Sequence, residues 1–202
     1  MIAVIDYGVG NLFSLTSSLS RIGAESVVTG DADVIRRADK ILLPGVGAFS
    51  DAKRKLAESG LDKVILDEVK GGKKIFGICL GMQMLFEHSY EYGVHDGLGL
   101  LRGSIVSMEG KIPSGLKIPH IGWNSLSVKK EHPIFKYVKD GDYVYFVHSY
   151  YAAGCDDSLL ATTDYGMEIT AAVALDNISG TQFHPEKSGE VGLSILKAFS
   201  EW

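Results

Sequence analysis

The sequence predicts an α/β protein whose central, mostly parallel β-sheet is flanked by helices. Short apolar runs of strand length alternate with amphipathic helical patterns up to residue 87. Polar, glycine-containing segments follow several of these runs, where the predicted strands end. After residue 87 strand-like segments predominate and indicate extra antiparallel strands in the second half. Since no linker, repeat or low-complexity segment interrupts the chain, we expect residues 1–202 to form a single domain.

Composition and charge narrow the possible functions. Hydrophobic residues make up 46% of the chain, and 20 basic against 25 acidic residues give a net charge of −5. This balance gives no support to a nucleic-acid surface. No apolar run approaches the ~20 residues that span a membrane, and the N-terminus lacks the features of a signal peptide. The two cysteines, Cys79 and Cys155, form no disulfide framework, so we expect a cytoplasmic protein with a free thiol.

The first strand is expected at residues 2–5 and runs into a glycine-rich turn at 6–11. This turn does not match a dinucleotide-binding fingerprint, because Phe13 stands where the third glycine is required. Asn11 can instead cap the helix that follows. The apolar face of that helix is formed by Leu12, Leu15, Leu19 and Ile22.

The same alternation continues up to the middle of the chain. It comprises a strand at 25–28, a short helix at 31–37, a strand at 40–43, helices near 48–57 and 61–69, and a strand at 75–78. Pro44-Gly45-Val46-Gly47 follows the third strand; taken alone it is typical of an ordinary loop, although such glycines also let a backbone N–H approach a ligand. Strands joined by crossover helices form parallel sheets, and ligands bind at the carboxyl ends of such strands.

The segment Lys74–Phe86 is the centre of the prediction. Its strand pattern changes to a helical one at Cys79, with Leu80, Met84 and Leu85 on one helical face. Glycines two residues away on each side give the pattern Gly-x-Cys-x-Gly, which resembles a strand–nucleophile–helix elbow. Side chains in place of these glycines would collide within so tight a turn. A sulfur at a helix N-terminus favours the thiolate. The alternative is a small buried cysteine in a βα unit.

The second half contains the expected partners of this thiol. Strands are predicted at 104–108, 126–128, 143–147, 159–163, 171–175 and 177–183, a loop-rich segment at 93–103, an irregular loop at 111–119, and a closing helix through Val191, Ile195, Leu196 and Phe199. His184 and Glu186 are at i and i+2, so in an extended segment they lean to the same side. The carboxylate could then orient the imidazole toward the sulfur, although such pairs are also common on surfaces.

Two of these stretches together resemble the class I (triad) glutamine amidotransferases. They are Gly77–Gln83 and Phe183–Glu186, and Pro44–Gly47 corresponds to that family's oxyanion strand. Further stretches at 6–11, 119–124 and 148–150 resemble one subfamily, the glutaminase subunits of imidazole glycerol phosphate synthases. The resemblance covers essentially the whole chain. It implies a flavodoxin-like fold, glutamine as the substrate and a role in histidine biosynthesis. We expect no cofactor, and no metal because His88, His95 and His132 lack metal-ligand spacing.

The resemblance also implies roles for individual residues. Cys79 would attack the glutamine amide and form a thioester, His184 would transfer the proton, and Glu186 would orient the imidazole. Backbone N–H groups of Leu80 and of Val46, which lies between Gly45 and Gly47, would hold the oxyanion. The Val46 N–H is conditional, because the family requires a backbone rearrangement there. The substrate contacts implied are Gln83, His148, Ser149 and Tyr150.

A partner is implied as well. In this subfamily a (β/α)₈-barrel cyclase docks over the glutaminase site as a heterodimer and receives ammonia through a tunnel. The residues implied at that interface are Trp123, Asn124, Asn11 and Ser14. A lone tryptophan is more often a core residue, which is the alternative for Trp123.

Other functions stay open at this point. A cysteine peptidase of the same elbow architecture is disfavoured, because Leu80 stands where that group places a histidine. A glutaminase that serves a different synthase is a second alternative. A catalytically inactive regulatory module is a third, and it would not need an intact set of Cys79, His184 and Glu186.

Overall fold

The computed structural model describes residues 1–202, and its elements follow the predicted alternation. The first half contains β1 (Ile2–Ile5), α1 (Leu12–Arg21), β2 (Ser26–Thr29), α2 (Ala32–Arg37), β3 (Lys40–Gly45), α3 (Phe49–Glu58), α4 (Leu61–Lys70), β4 (Lys74–Cys79) and α5 (Leu80–Gln83). The second half contains β5 (Phe86–Ser89), β6 (His95–Asp96), β7 (Leu101–Ser107), β8 (His120–Ser125), β9 (Ser127–Val128), β10 (Tyr143–His148), β11 (Tyr150–Ala153), β12 (Leu159–Asp164), β13 (Glu168–Leu175), β14 (Ile178–Thr181) and α6 (Gly189–Glu201). Short 3₁₀ helices occur at Pro133–Phe135 and Pro185–Lys187.

The central sheet has eight strands in the order β2-β1-β3-β4-β14-β13-β12-β9. The first five are parallel to one another, and the last three continue the sheet in antiparallel fashion. Counted along the chain, the parallel strands have the order 2-1-3-4-5 of flavodoxin-like folds. The α/β class and its mostly parallel sheet are therefore confirmed.

Helices cover both faces of this sheet. On one face α2, α3 and α4 contribute to a core of 27 buried residues, and on the other α1 and α6 contribute to a core of 22. Strands β1, β3 and β4 are buried on both sides, which explains their nearly continuous apolar sequences. The helices instead bury one stripe each, such as Leu15 and Leu19 in α1. None of the helices combines the length and the hydropathy that a membrane span requires.

The extra strands of the second half are confirmed, but they belong to three sheets. Besides the antiparallel extension of the central sheet, β8 and β10 form a two-stranded sheet, and β11-β7-β5-β6 form a four-stranded one. The segment 111–119 contains neither helix nor strand, as predicted. The predicted strand at 104–108 was placed too late, since β7 begins at Leu101 inside the segment predicted as loop-rich.

Two boundaries near the predicted nucleophile were also wrong. Strand β3 continues through Pro44 and Gly45, because Gly45 is still in parallel register with Cys79 on β4. Helix α5 ends at Gln83 and does not extend through Leu85. The chain leaves the helix there because Phe86 begins β5, which pairs with β7. Met84 and Leu85 are apolar because they are buried in the core, and their spacing from Leu80 also fits the longer helix that was predicted.

Candidate active site

Cys79 ends β4 and has a left-handed backbone, with φ 54° and ψ −111°. Such a conformation is strained for a non-glycine residue and is typical of functional sites. A Cβ atom at Gly77 would lie 2.7 Å from the Met82 Cα, and one at Gly81 would lie 1.9 Å from the Leu43 carbonyl oxygen. The predicted need for glycine is confirmed. The clashes arise with the neighbouring helix and strand rather than with the cysteine.

His184 follows β14 and lies beside Glu186. Its Nδ1 is 2.7 Å from the Glu186 Oε1, and both side chains are 4% exposed. The predicted pairing is confirmed, but the reason given for it was wrong, since Pro185–Lys187 is a 3₁₀ turn and not an extended segment. The Lys187 N–H and the Ser188 hydroxyl both donate to the His184 carbonyl oxygen and close the turn.

The surroundings of His184 favour its charged form. Burial alone would lower the pKa of His184, but the Cys79 sulfur and the Glu186 carboxylate stabilise the imidazolium and raise the pKa to about 10. Glu186 contacts His184 through one carboxylate oxygen only. Its other oxygen, Oε2, is buried and has no hydrogen-bond partner. His184 therefore interacts with both the Cys79 sulfur and the Glu186 carboxylate, as a base between a nucleophile and an orienting carboxylate would.

A cavity of about 560 Å³ opens above the sulfur. It brings together the residues predicted for catalysis, for the oxyanion and for substrate binding, namely Cys79, His184, Leu80, Val46, Gly47, Gln83, His148, Ser149 and Tyr150. Two predicted residues lie outside it. Glu186 contacts His184 from behind, and Gly45 packs so closely on the elbow that a Cβ there would lie 2.6 Å from the Gly81 nitrogen.

Sequence reasoning missed several residues of this cavity. Glu91, Tyr92, Glu109 and Lys187 contribute to its wall. The Glu91 carboxylate accepts a hydrogen bond of 2.5 Å from the Phe49 N–H at the start of α3. No pattern in the sequence connects Glu91 with Cys79, because a turn outside the βα alternation brings it to the cavity. Lys187, in contrast, directly follows the predicted acid and could have been included.

Gln182 was missed as well, although it contacts the predicted nucleophile. Its Nε2 lies 3.7 Å from the Cys79 Sγ, and its Oε1 accepts a hydrogen bond of 3.0 Å from the Gln83 Nε2. The same Gln83 nitrogen donates to the Tyr150 carbonyl oxygen at 3.1 Å. The sequence signal was a single glutamine at the end of a buried strand, two residues before His184.

His148 uses both ring nitrogens inside the protein. Its Nδ1 donates to the Tyr150 carbonyl oxygen at 2.8 Å, and its Nε2 lies 3.1 Å from the Nδ1 of His120. Burial, together with the neighbouring His120 and His184, lowers the pKa of His148 to about 3 despite the hydrogen bond to the Tyr150 carbonyl oxygen. The ring therefore lines the cavity in its neutral form and offers it no free N–H. Its substrate contact stays a prediction.

The residues predicted for a partner interface lie in two places. Trp123 on β8 is 53% exposed and packs edge-on against Tyr145 at 6.0 Å, so the core alternative is wrong. Asn124 accepts from the His120 Nε2 at 2.8 Å and donates to the Asp164 carbonyl oxygen at 2.9 Å. The Asn11 side chain caps α1 by accepting from the Ser14 N–H at 3.3 Å. That Asn11 caps this helix is confirmed.

Comparison with known proteins connects this geometry to one family. Residues 3–201 match the family described as "Glutamine amidotransferase class-I". The imidazole glycerol phosphate synthase subunit HisH of Caldanaerobacter subterraneus subsp. tengcongensis is 50% identical over 202 residues, which covers 100% of this chain and 98% of that relative. Proteins of the same name are 50% identical in Geobacter sulfurreducens (99% and 98% covered) and 48% identical in Bacillus subtilis (100% and 96% covered).

Solved structures agree at the level of the fold. A crystal structure of a glutamine amidotransferase superposes with a TM-score of 0.76 and 16% identity, over 98% of this chain and 100% of that chain. A PurLQS structure from Thermotoga maritima gives a TM-score of 0.75 and 23% identity, over 98% and 95%. Identities this low establish the shared fold alone.

Proposed function

Because this chain belongs to the class I glutamine amidotransferase family, and within it to the imidazole glycerol phosphate synthase HisH subunits, we propose that it is the glutaminase of that synthase. It hydrolyses glutamine to glutamate and ammonia for histidine biosynthesis. The observation that carries the assignment of roles is the buried 2.7 Å contact between His184 and Glu186 beside a nucleophile-elbow cysteine. We also propose that the domain spans residues 1–202 and acts in the cytoplasm.

The reaction follows from this arrangement. The Cys79 sulfur attacks the side-chain amide carbon of glutamine, and the electron pair of the carbonyl moves onto oxygen. His184 gives its proton to the amide nitrogen, which leaves as ammonia when the tetrahedral intermediate collapses to a γ-glutamyl thioester. Water then attacks the thioester while His184 takes up a proton, and glutamate leaves as the thiolate is restored. Glu186 stabilises the imidazolium throughout.

The oxyanion site is the conditional part of this mechanism. Leu80 is the first residue of α5, so its backbone N–H has no partner within the helix and is available for the oxyanion. The backbone N–H of Val46 is the proposed second donor. Val46 lies on the cavity wall and directly follows Gly45, the β3 residue in register with Cys79. Gly45 and Gly47 give this strand end the freedom to turn the Val46 N–H inward. We therefore propose a low glutaminase activity before the partner binds.

The cavity wall also suits the two ends of glutamine. Both hydrogens of the Gln83 amide are already used, so Gln83 can offer only its carbonyl oxygen to a donor on the substrate. Ser149, Tyr150 and the half-used carboxylate of Glu91 lie on the same wall. We propose that Glu91 receives the α-ammonium group, since a carboxylate is the natural partner of that charge. His148 would contribute through its backbone and ring edge.

The partner is a cyclase subunit, and the exposed aromatic surface around Trp123 supports this proposal. The Lys187 Nζ lies 6.0 Å above the Tyr145 ring, which packs against Trp123, so this surface is continuous with the triad turn. Large apolar side chains are exposed at Phe13, Ile121 and Tyr143 as well. Exposed apolar surface of this kind marks protein interfaces. We propose that a (β/α)₈-barrel cyclase binds as a heterodimer to both places, through Trp123 and Asn124 on β8 and through Asn11 and Ser14 at the start of α1.

The test is glutamate release from glutamine, with and without the cyclase and its ribonucleotide substrate. We expect strong stimulation by the cyclase and complete loss in Cys79→Ala, with synthesis from added ammonia retained. Cys155→Ala is the matched control, because this second buried cysteine hydrogen-bonds to Thr170 away from the cavity. Stimulation by a different synthase would overturn the pathway. Loss of ammonia-dependent synthesis in Cys79→Ala would mean that the substitution acts on folding or docking.

A further inference from the structure

We propose that Gln182 is a further catalytic residue, whose side-chain amide donates a hydrogen bond to the Cys79 sulfur and stabilises the attacking thiolate. The inference rests on the proposed role of Cys79 as the nucleophile. It adds a neutral donor to the charged partner that His184 provides. The contact is the 3.7 Å approach of the Gln182 Nε2 to the Cys79 Sγ.

The direction of this hydrogen bond is determined by its neighbours. A backbone carbonyl oxygen only accepts, so the Gln83 amide must present its nitrogen to Tyr150. The second hydrogen of that nitrogen goes to the Gln182 oxygen at 3.0 Å. The Gln182 amide therefore has its nitrogen toward the sulfur. An inverted amide would bring two nitrogen donors together at one end and an oxygen against the sulfur at the other.

The place of Gln182 suits a role on the nucleophile rather than on the substrate. Its side chain is 0% exposed, and it is absent from the wall of the cavity that holds Cys79 and Gln83. It approaches the sulfur from within the protein, at the end of β14. Removal of its amide should therefore change the reactivity of the thiol more than the binding of glutamine.

The other groups around the Cys79 sulfur do not already supply an uncharged hydrogen-bond donor. Helix α5 has only four residues, so the macrodipole expected from the sequence is small. The charges of His184 and Tyr7 both interact with that of the Cys79 sulfur. Tyr7 supplies no hydrogen bond to the sulfur, because its hydroxyl donates to the Pro44 carbonyl oxygen at 2.8 Å. Gln182 is thus the uncharged side chain that donates to the sulfur.

The test is the rate of Cys79 alkylation by iodoacetamide as a function of pH, with the modified peptide identified by mass spectrometry. Neither glutamine nor cyclase is needed, so the result stands apart from the test of the proposed function. In Gln182→Met we expect the midpoint of the pH profile to rise by about one unit, the loss of one hydrogen bond to a charged group, so the alkylation rate at pH values below the midpoint should fall about tenfold. In the complex, kcat should fall with little change in KM.

Two further variants keep the test decisive. Gln182→Glu has the same shape but replaces the donor with a carboxylate, so its midpoint should rise at least as far as that of Gln182→Met. Ser179→Ala is the control, since it removes another fully buried polar group from β14, the Ser179 hydroxyl that donates to the Ile75 carbonyl oxygen. It should keep the wild-type profile. Unchanged midpoints in both Gln182 variants, or a rise in KM alone, would overturn the proposal.

Discussion

His184 and His148 both line the cavity above Cys79, and both are almost completely buried. His184 pairs with the Glu186 carboxylate, and its pKa is raised to about 10. His148 pairs with another histidine and with a backbone carbonyl oxygen, and its pKa is lowered to about 3. Burial acts in the same direction at both sites. The opposite outcome therefore reflects the partner, since only His184 has negative charge beside it.

The His184–Glu186 pair and the His120–His148 pair also differ in the number of protons that they hold. The Tyr150 carbonyl oxygen accepts from His148, and the amide orientation that donates to Asp164 makes Asn124 an acceptor for His120. With both rings neutral, the two nitrogens that face each other at 3.1 Å are both lone pairs. No proton therefore lies between His120 and His148, and one more proton would complete the chain of hydrogen bonds from Asn124 to Tyr150. In the His184–Glu186 pair, by contrast, a proton lies between an imidazole and a carboxylate.

The largest effect is expected when the carboxylate at His184 loses its charge. Glu186→Gln keeps the size and an acceptor oxygen, but it removes the charge that stabilises the imidazolium. We expect the pKa of His184 to fall and cyclase-stimulated glutamate release to drop roughly 10³- to 10⁴-fold. The first quantity is read from the NMR titration of the imidazole, the second from the glutaminase assay.

A matched control comes from the surface. Glu190→Gln removes a carboxylate that pairs with Arg21 at 2.7 Å but is largely exposed. Exposed pairs of this kind contribute about 0–1 kcal/mol, so neither His184 nor activity should change. Full activity in Glu186→Gln would show that the partner of His184 does not set its charge.

An intermediate effect is expected on stability in acid. The pKa of His148 is about 3 in the folded protein, below the ~6.5 of an unfolded histidine, so the unfolded state binds the proton first and stability is lost as pH falls from about 6.5 toward 3. At about pH 5 the loss due to His148 amounts to about 2 kcal/mol. His184 has the opposite sign: its contribution is complete below about 6.5 and is lost as pH rises toward 10.

Urea unfolding at a series of pH values measures this loss. His148→Gln cannot titrate, so its free energy of unfolding should decrease less between neutral pH and about pH 5 than that of the wild type, even if it starts lower. The difference between the two slopes is the relevant quantity, because the substitution also changes hydrogen bonds. Equal slopes would mean that His148 is not kept neutral by the fold.

The two pairs also differ in how far the sequence predicted them. Cys79, His184 and Glu186 were accessible because local patterns carry them: a glycine-flanked turn after an apolar strand, and two polar residues two positions apart. The sheet was accessible for the same reason, since alternation of apolar runs and helical patterns is a local signal. Even here the structure corrected the detail, because a 3₁₀ turn and not an extended segment brings Glu186 to His184.

The contacts around His148 could not be predicted in this way. They join residues from distant parts of the chain, such as His120 on β8 with His148 on β10, and Gln83 with Gln182. Each of these residues has an ordinary local sequence. His120 and His148 become neighbours only through the register of β8 and β10, which places the two residues opposite each other. Register between distant strands depends on tertiary packing and leaves no short-range signal.

The smallest effect is expected when a carboxylate is placed beside the neutral His120–His148 pair, as Glu186 lies beside His184. Asn124→Asp keeps the shape of the side chain and places a carboxylate on the His120 Nε2, 2.8 Å away. A negative charge there favours uptake of the missing proton between the two rings. We expect the first protonation of the pair, followed by NMR in the isolated chain, to move up by about one pH unit, or about 1.4 kcal/mol.

Asn124→Ala is the control that separates the effect of the added carboxylate charge from the effect of losing the Asn124 amide. Both variants remove the hydrogen bond to the Asp164 carbonyl oxygen, but only the aspartate adds charge. Burial lowers the pKa of His120 in the unaltered protein, and it should stay low in the alanine variant. A rise in both variants would mean that solvent enters the pair when the amide is lost. A rise in the aspartate variant alone would show that one carboxylate is enough to turn a neutral buried histidine into one that resembles His184.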